Sequence, residues 1–151
     1  MRVVLQRVKR ASVSVGGNVV GEIGAGFLIL LGVGQGDTEA DADWLVARLQ
    51  RVRIFEDDAG KMNLPIASVA GNALVVSQFT LFGTMKKGSR PSFNRAAAPA
   101  EAKALYDKFS QKLSAALGRI VANGVFGANM EVALVNDGPV TLVLDSKLPD
   151  F

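Results

Sequence analysis

Phe27-Leu28-Ile29-Leu30-Leu31-Gly32-Val33 is an unbroken apolar run that decides the fold class of this chain. Such a run, without polar alternation, is typical of a strand that is buried on both faces of a sheet. The periodicity then changes, because apolar residues recur at helical spacing from Ala42 to Val52. Thr38 precedes this segment as a candidate N-cap, with acidic residues in the first turn. A buried strand followed by an amphipathic helix predicts an α/β domain.

Other periodicities on both sides of this run indicate more strands and one more helix. Gly16-Gly17-Asn18 predicts a hairpin turn between strand-like N-terminal segments. A second helix is predicted to start near Pro99 and to stop at Gly118. The further strand candidates are residues 3–8, 11–15, 19–23, 53–56, 72–79, 120–125, 130–135 and 140–144. We therefore predict one domain over residues 1–151, with mixed, mostly antiparallel sheets and two main helices, and without strict βαβ alternation.

The composition excludes several kinds of chemistry. The 151 residues contain no histidine and no cysteine, which rules out thiolate nucleophiles, imidazole bases and most zinc sites. The carboxylates form no persuasive metal or acid–base pair, so we expect no metal and no cofactor. The longest apolar run is far too short to span a bilayer. We expect a cytoplasmic protein whose site depends on hydroxyls, amides, a few cations and the backbone.

The net charge of +3 is unevenly distributed. Residues 84–100, called here the basic segment, contain four cations and no acid. These cations are Lys86, Lys87, Arg90 and Arg95. Clustered cations attract polyanions, and Arg90 could hold a phosphate or carboxylate in a forked geometry. A solvated surface loop explains the same composition.

The first candidate site is Ser77-Gln78-Phe79-Thr80-Leu81, which follows the predicted strand Leu74-Val75-Val76. Polar residues at the end of a strand commonly form sites on α/β scaffolds. Ser77 or Thr80 could act as a nucleophile, but a hydroxyl needs a base and the chain has no histidine. Alternatively, both hydroxyls only satisfy backbone groups at the strand end.

The second candidate is Asn136-Asp137-Gly138-Pro139-Val140-Thr141, which interrupts a strand-like stretch. Glycine tolerates unusual dihedral angles, and proline fixes φ and lacks an N–H. The segment is explained equally well as a hairpin turn joining residues 130–136 to 140–145 or as part of a functional site.

Taken together, these segments resemble the D-aminoacyl-tRNA deacylase family, and the resemblance runs essentially from end to end. The two diagnostic motifs are the Ser77–Leu81 and Asn136–Thr141 segments, in that order, with Arg90-Pro91-Ser92-Phe93 between them. Shorter matches are Leu5-Gln6-Arg7-Val8, Arg10-Ala11-Ser12-Val13, Gly21-Glu22-Ile23-Gly24, Arg53-Ile54-Phe55 and Lys61-Met62-Asn63-Leu64.

The resemblance implies a homodimer that hydrolyses the ester joining a D-amino acid, or glycine, to the 3′-terminal adenosine of tRNA. It implies a cis Gly138–Pro139 bond that reaches the partner subunit's site and excludes L side chains with its carbonyl groups, in an orientation fixed by Arg7. It further implies that Phe79 donates its backbone N–H to the ester carbonyl. Ser77 and Gln78 would line the pocket, and Phe126 and Met130 would surround the adenosine.

Three alternatives remain open at the level of sequence. The first makes Thr80 the nucleophile of the same hydrolysis. The second is a non-catalytic, dimeric RNA-binding module that uses the basic segment, although the chain lacks interleaved aromatic residues. The third is a general serine or threonine hydrolase, which the absent base and the absent G-x-S-x-G motif disfavour.

Overall fold

A computed structural model describes residues 1–86 and 88–149 of the chain. Lys87 of the basic segment and the last two residues of the predicted domain, Asp150 and Phe151, lie outside the described residues. The strands are β1 (Arg2–Val15), β2 (Asn18–Ile23), β3 (Gly26–Gly32), β4 (Arg53–Glu56), β5 (Met62–Pro65), β6 (Asn72–Ser77), β7 (Ala122–Asn123) and β8 (Glu131–Asp145). The helices are α1 (Glu39–Arg51) and α2 (Pro99–Leu117), with short 3₁₀ turns at Ile66–Val69 and Phe79–Phe82.

The main sheet is mixed and is organised around β1. Its strand order is β2-β1-β3-β6-β7, and β8 also pairs with β1. One edge of β1 is shared between β2 and β3, and β8 covers the opposite edge along nearly its whole length. All pairs made by β1 are antiparallel, whereas β3–β6 and β6–β7 are parallel. With β4 and β5 forming a small antiparallel ribbon, this confirms the predicted mixed α/β architecture.

Both faces of β3 are buried, as its sequence predicts. Phe27, Ile29 and Leu31 belong to the larger core cluster, which also contains the apolar faces of α1 and α2. Leu28, in contrast, packs in a second cluster with Leu74 of β6. Since successive side chains of a strand point to opposite faces, the two clusters lie on the two sides of the sheet. Each fully buried large side chain contributes about 1.5–3 kcal/mol to folding.

The helix boundaries agree with the terminal signals in the sequence. The Thr38 N–H donates to the Asp41 side chain over 2.7 Å, which satisfies a donor that the first turn of α1 leaves free. Pro99 occupies the start of α2. Gly118 ends α2 in the left-handed conformation, with φ of 65°. Among the described residues, no helix is long and apolar enough to cross a membrane.

Three strand predictions need correction. Predicted strand 72–79 ends at Ser77, because the chain turns at Gln78 and then enters the 3₁₀ turn. Predicted strand 120–125 is reduced to Ala122–Asn123. Of the two interpretations of Gly138–Pro139, the hairpin turn is wrong, since β8 runs through these residues as one strand beside β1. The turn signal instead marks a bulge within β8.

Candidate active site

The first candidate segment lies where β6 leaves the sheet. β6 is buried and pairs in parallel with β3 as far as Ser77. The Gln78 N–H still donates to the Leu31 carbonyl, at 2.8 Å. The next residue, Phe79, begins the 3₁₀ turn that carries the chain away from the sheet. The end of a buried strand therefore presents both side chains and backbone groups at the surface.

These groups line a cleft of about 470 Å³, a size typical of small-molecule sites. Five of the predicted site residues lie in its wall, namely Ser77, Gln78, Phe79, Phe126 and Met130. The structure thus brings together residues that lie about 50 positions apart in the sequence. The other lining residues are Leu31, Val33, Val76, Ala96, Ala97, Pro99, Ala102, Tyr106, Gly127, Ala128, Asn129 and Val132.

Tyr106 supplies a hydroxyl to the wall of this mainly apolar cleft. The hydroxyl donates to the Val75 carbonyl at 2.8 Å and lies 3.1 Å from the Asn123 side-chain oxygen. Burial, together with the nearby Asp107 carboxylate, raises the pKa of Tyr106 to about 12. The phenol is therefore neutral at physiological pH and is no general base. Its ring is tilted by 56° against Phe126, with the ring centroids 5.8 Å apart.

Phe79 lies where the cleft wall meets the 3₁₀ turn. It is the first residue of the 3₁₀ turn, where N–H groups lack an acceptor within the turn. Its side chain is 57% exposed and packs edge-to-face on Phe93 of the basic segment, with centroids 5.1 Å apart. Phe79 therefore lines the cleft, while its ring contacts the basic segment.

Thr80 does not line the cleft, and its residue is exposed. Its hydroxyl accepts a hydrogen bond from the Gln78 side-chain amide. An amide N–H donor cannot remove a proton from a hydroxyl. This contact therefore fixes the orientation of Gln78 and does not activate Thr80.

Arg7 is a buried cation, 3% exposed, that holds the bulge of β8 in place. Its Nε donates to the Asp137 carbonyl at 3.0 Å, and Nη1 donates to the Ile54 carbonyl. Two carboxylates balance its charge, since Nε lies 3.3 Å from Asp137 Oδ2 and Nη2 lies 3.8 Å from Glu56 Oε1. The guanidinium thus ties the bulge to β4.

The ladder register defines the bulge. Gln6 pairs with Thr141 and Val8 pairs with Asn136, so Arg7 alone faces residues 137–140. These four residues, called here the β8 bulge, protrude because one residue cannot match four. Asn136 closes the bulge, since its Oδ1 accepts the Val140 N–H at 2.9 Å.

Gly138 and Pro139 form the exposed tip of the β8 bulge. Their peptide bond is cis, which is the isomer that the resemblance implies. Gly138 has φ of 135°, and a Cβ atom there would lie 2.7 Å from Val140 Cγ2 and 3.2 Å from Arg7 Nη2. Only glycine fits this position without a shift.

Within one protomer, the bulge tip and the cleft are far apart. Val132 lines the cleft and pairs with Val13, whereas the bulge faces Arg7. Arg7 and Val13 are six positions apart on β1, which at ~3.3 Å per residue is about 20 Å, and the lining residue Leu31 pairs with Val3, four positions from Arg7. Accordingly, neither Gly138 nor Pro139 is part of the cleft wall formed by the described residues.

Arg90 also lies outside the cleft wall, at an exposed position of the basic segment. The base of the same segment does reach the cleft through Ala96, Ala97 and Pro99, which sequence reasoning missed. Their small apolar side chains have no reactive or charged group from which a place in the site could be predicted. Tyr106 is a buried residue of α2, and only its hydroxyl distinguishes it from the apolar residues of that helix.

Among the described residues, no group of three or more Asp, Glu, His or Cys side chains is placed to hold a metal ion. The polar groups of the cleft are amides, hydroxyls and backbone atoms.

Comparison with known proteins gives a consistent result. Residues 4–145 match the model of the family described as D-Tyr-tRNA(Tyr) deacylase. A relative from Dechloromonas aromatica, named D-aminoacyl-tRNA deacylase, is 51% identical over 99% of this chain and 100% of its own length. A relative of the same name from Thermomicrobium roseum is 58% identical over 97% of this chain and 94% of its own.

Two solved structures share the fold. One, titled c-Myc DNA Unwinding Element Binding Protein, has a TM-score of 0.90 and 38% identity, and covers 96% of this chain and 98% of its own. Another, titled as a probable eukaryotic D-amino acid tRNA deacylase, has a TM-score of 0.79 and 22% identity, covers 95% of this chain and 98% of its own, and supports the fold alone.

The fold, the cleft and these relatives define the class of protein as enzymes that hydrolyse aminoacyl-tRNA esters. Within that class, the chain belongs to the D-Tyr-tRNA(Tyr) deacylase family.

Proposed function

We propose that this protein hydrolyses the ester of D-aminoacyl-tRNA, releasing free tRNA and the D-amino acid, and that it spares L-aminoacyl-tRNA. The observation that carries the proposal is the cleft at the end of β6, in which Ser77, Gln78 and Phe79 converge in a chain of this family. Because aminoacyl-tRNA is present where translation takes place, we propose that the protein is located in the cytoplasm.

The cleft suits the 3′-terminal adenosine with its attached amino acid. Phe126 and Met130 offer apolar surface for the base, which proteins commonly bind by stacking on aromatic rings. The Phe79 N–H is proposed to donate to the ester carbonyl and to stabilise the negative charge that develops during attack by water. An aminoacyl ester is already activated, and the neighbouring ribose hydroxyl can assist the water, so positioning supplies most of the catalysis.

Chiral selection is assigned to the β8 bulge. The carbonyls of Gly138 and Pro139 would surround the substrate's α-carbon and leave no space for an L side chain. A wall of this kind excludes one enantiomer whatever its side chain is, so discrimination comes from a clash and not from tighter binding. Glycine has no side chain to exclude, and glycyl-tRNA is therefore a proposed second substrate.

A homodimer is needed for this arrangement. Because the bulge tip is not part of the cleft wall that the described residues of its own chain form, we infer that it completes the cleft of a second copy. In the described part of the chain, β8 pairs on one edge only, and Leu134 and Val143 along it are each 36% exposed. A long strand with a free edge is a favourable surface for pairing with a second chain.

The test is to incubate the protein with D-tyrosyl-tRNA and L-tyrosyl-tRNA and to follow ester loss. We expect rapid loss of the D ester and little loss of the L ester. Equal rates, or no turnover of the D ester, would contradict the proposal. Replacing the terminal ribose by its 2′-deoxy form should slow the reaction sharply if the hydroxyl assists.

A second candidate is non-catalytic nucleic-acid binding by a dimer. It is favoured by the basic segment and by the likeness to the structure titled c-Myc DNA Unwinding Element Binding Protein. The same assay separates the candidates, because a pure binding protein gives no turnover of either ester.

A further inference from the structure

The basic segment is fastened to the rim of the cleft at several points. The Ala97 N–H donates to the Val33 carbonyl, and the Gln35 N–H donates to the Arg95 carbonyl, both at 3.0 Å. The Gln35 side-chain amide also donates to the Asn94 carbonyl at 2.8 Å. Because Ala96, Ala97 and Pro99 line the cleft, the segment leaves the cleft wall directly.

The cationic part of the segment is an outward-projecting loop. Thr84 and Ser92 form an antiparallel bridge with two backbone hydrogen bonds of 2.9 Å. At the foot of this loop, Phe93 packs on Phe79. The loop between the bridged residues, 85–91, has seven residues, so its tip can lie at most about 13 Å from the bridge at ~3.3 Å per residue. The loop therefore stands next to the cleft mouth and within the length of a few nucleotides of it.

The cations of this loop are available for a partner. Lys86, Arg90 and Arg95 are all exposed. None of the three forms a salt bridge with a carboxylate of any described residue, although Lys103, Lys108, Lys112 and Lys147 all do. Residues 84–100 contain no acid, so no carboxylate within the segment itself offsets the charges of Lys86 and Arg90.

We propose that Lys86 and Arg90 form a phosphate-binding surface that holds the RNA backbone immediately upstream of the terminal adenosine. This inference rests on the proposed function, because the cleft must hold the 3′ end for the preceding phosphates to reach the loop. Phosphate contacts fix position and carry no base specificity. The surface therefore serves all tRNAs alike and acts mainly on substrate binding.

The test compares two substrates that share the ester but differ in phosphates. D-tyrosyl-tRNA has the full backbone, whereas D-tyrosyl-adenosine has none. The variant is K86A/R90A, and the matched control is R51A/K61A, which removes one exposed arginine and one exposed lysine outside the cleft wall.

For K86A/R90A we expect kcat/KM on the tRNA to fall roughly 10- to 30-fold relative to kcat/KM on the adenosine ester, mainly through KM. Counterion release predicts a slope of about −0.7 per phosphate contact for single strands, so two lost contacts are worth about 25-fold at 0.1 M salt. The magnitude of the slope of log KM against log salt should fall by about 1.4. R51A/K61A should change neither quantity.

An equal loss of kcat/KM on both substrates in K86A/R90A would overturn the inference, because the loop would then only shape the cleft. An unchanged kcat/KM on the tRNA in K86A/R90A would also overturn it. So would a loss of kcat/KM in R51A/K61A equal to that in K86A/R90A. Binding of uncharged tRNA, measured in parallel, keeps the two proposals separate. If the wild type hydrolyses neither ester but binds tRNA more tightly than K86A/R90A does, the proposed function fails and the phosphate surface stands.

Discussion

Two residues of the candidate segments, Arg7 and Thr80, make contacts that position other groups. Arg7 is the clearest case, because its guanidinium reaches two carbonyl groups and no part of the cleft. Thr80 is similar, since its hydroxyl accepts a hydrogen bond from Gln78. Both residues belong to segments that sequence reasoning selected, yet their contacts are structural. Two predictions follow at this scale.

Replacing Thr80 with alanine should leave kcat for D-tyrosyl-tRNA within a few-fold of the wild type, because a hydroxyl without a base is not the nucleophile. Single-turnover kinetics provide the measurement. Thr80→Ser, which keeps the hydroxyl, is the control. A loss of about 10⁴-fold or more in the alanine variant, with recovery in the serine variant, would instead establish a covalent role.

Replacing Arg7 with lysine should loosen the β8 bulge, since one ammonium cannot reproduce the planar fork that spans two carbonyl groups. We expect the free energy of unfolding to fall by about 1–3 kcal/mol, the cost of leaving a buried group unpaired. We also expect more hydrolysis of L-tyrosyl-tRNA relative to the D ester. Urea titration and the paired ester assay measure the two effects.

Arg53→Lys is the matched control for Arg7→Lys. Arg53 also donates to a backbone carbonyl, that of Asn63, but it is exposed. Its replacement should change stability by less than about 0.5 kcal/mol and leave chiral selection intact. Equal effects of the two substitutions would show that Arg7 has no special part in positioning the bulge.

At the scale of elements, the β1–β8 ladder connects the parts of the site. Its far end is fastened by Arg2, whose Nε and Nη2 donate to Asp145 Oδ2 at 2.9 and 2.7 Å. Burial by itself raises the pKa of Asp145, but the Arg2 hydrogen bonds and the Lys147 N–H outweigh it and hold the pKa below the ordinary 3.8. The end of the ladder is therefore sensitive to acid.

A carboxyl with a lowered folded-state pKa stabilises the fold above its unfolded pKa, and this stabilisation is lost as the pH falls. We therefore expect the stability contributed by Asp145 to be complete at pH 7 and to decline below about pH 3.8. Asp145→Asn should lower stability at pH 7 and reduce the decline in acid. Urea titrations at several pH values measure this, with the exposed turn variant Asp58→Asn as control. A pH dependence unchanged in Asp145→Asn would refute the assignment.

At the scale of the whole molecule, the proposed active site needs two copies of the chain. A heterodimer of a cleft variant, Phe79→Pro, with a bulge variant, Gly138→Ala, tests this. The first lacks the proposed N–H donor, and the second places a Cβ atom 2.7 Å from Val140 Cγ2. We expect the Phe79→Pro homodimer to be inactive and the Gly138→Ala homodimer to lose chiral selection. If the bulge acts across the interface, the heterodimer keeps one intact site, with about half of the wild-type kcat per dimer for the D ester and wild-type rejection of the L ester.

A heterodimer that, after purification with two different affinity tags, hydrolyses the L ester as readily as the Gly138→Ala homodimer does would place the bulge and the cleft of one site in the same protomer. The wild-type chain carrying both tags is the control for the purification. Activity at the wild-type level would show that at least one of the substitutions is harmless.

Local signals predicted much of this fold. The uninterrupted run at residues 27–33 gave the doubly buried β3, and the period of α1 and the Pro99 and Gly118 signals gave both helices. The Asp-Gly-Pro signal gave the wrong element, because a bulge and a hairpin turn use the same residues. Whether a bulge or a hairpin turn forms depends on whether β1 continues beside β8. That pairing joins residues far apart in the sequence, so local signals do not predict it.

The same distinction holds for the candidate site. Ser77, Gln78 and Phe79 were predicted from the end of a strand, and Phe126 and Met130 from the family resemblance, and all five line the cleft. The wall formed by Ala96, Ala97 and Pro99 was not predicted, because it depends on where the basic segment docks.

The absence of histidine and cysteine has a pharmacological consequence. Some reagents inactivate hydrolases by reacting covalently with an activated serine or cysteine. The proposed site has no such group, because its main-chain N–H and carbonyl groups are proposed to stabilise and select the substrate. Effective inhibitors would have to imitate the shape and handedness of the substrate, as a non-hydrolysable D-aminoacyl amide of adenosine does. For the same reason, this enzyme could not become resistant to an inhibitor by replacing a reactive side chain.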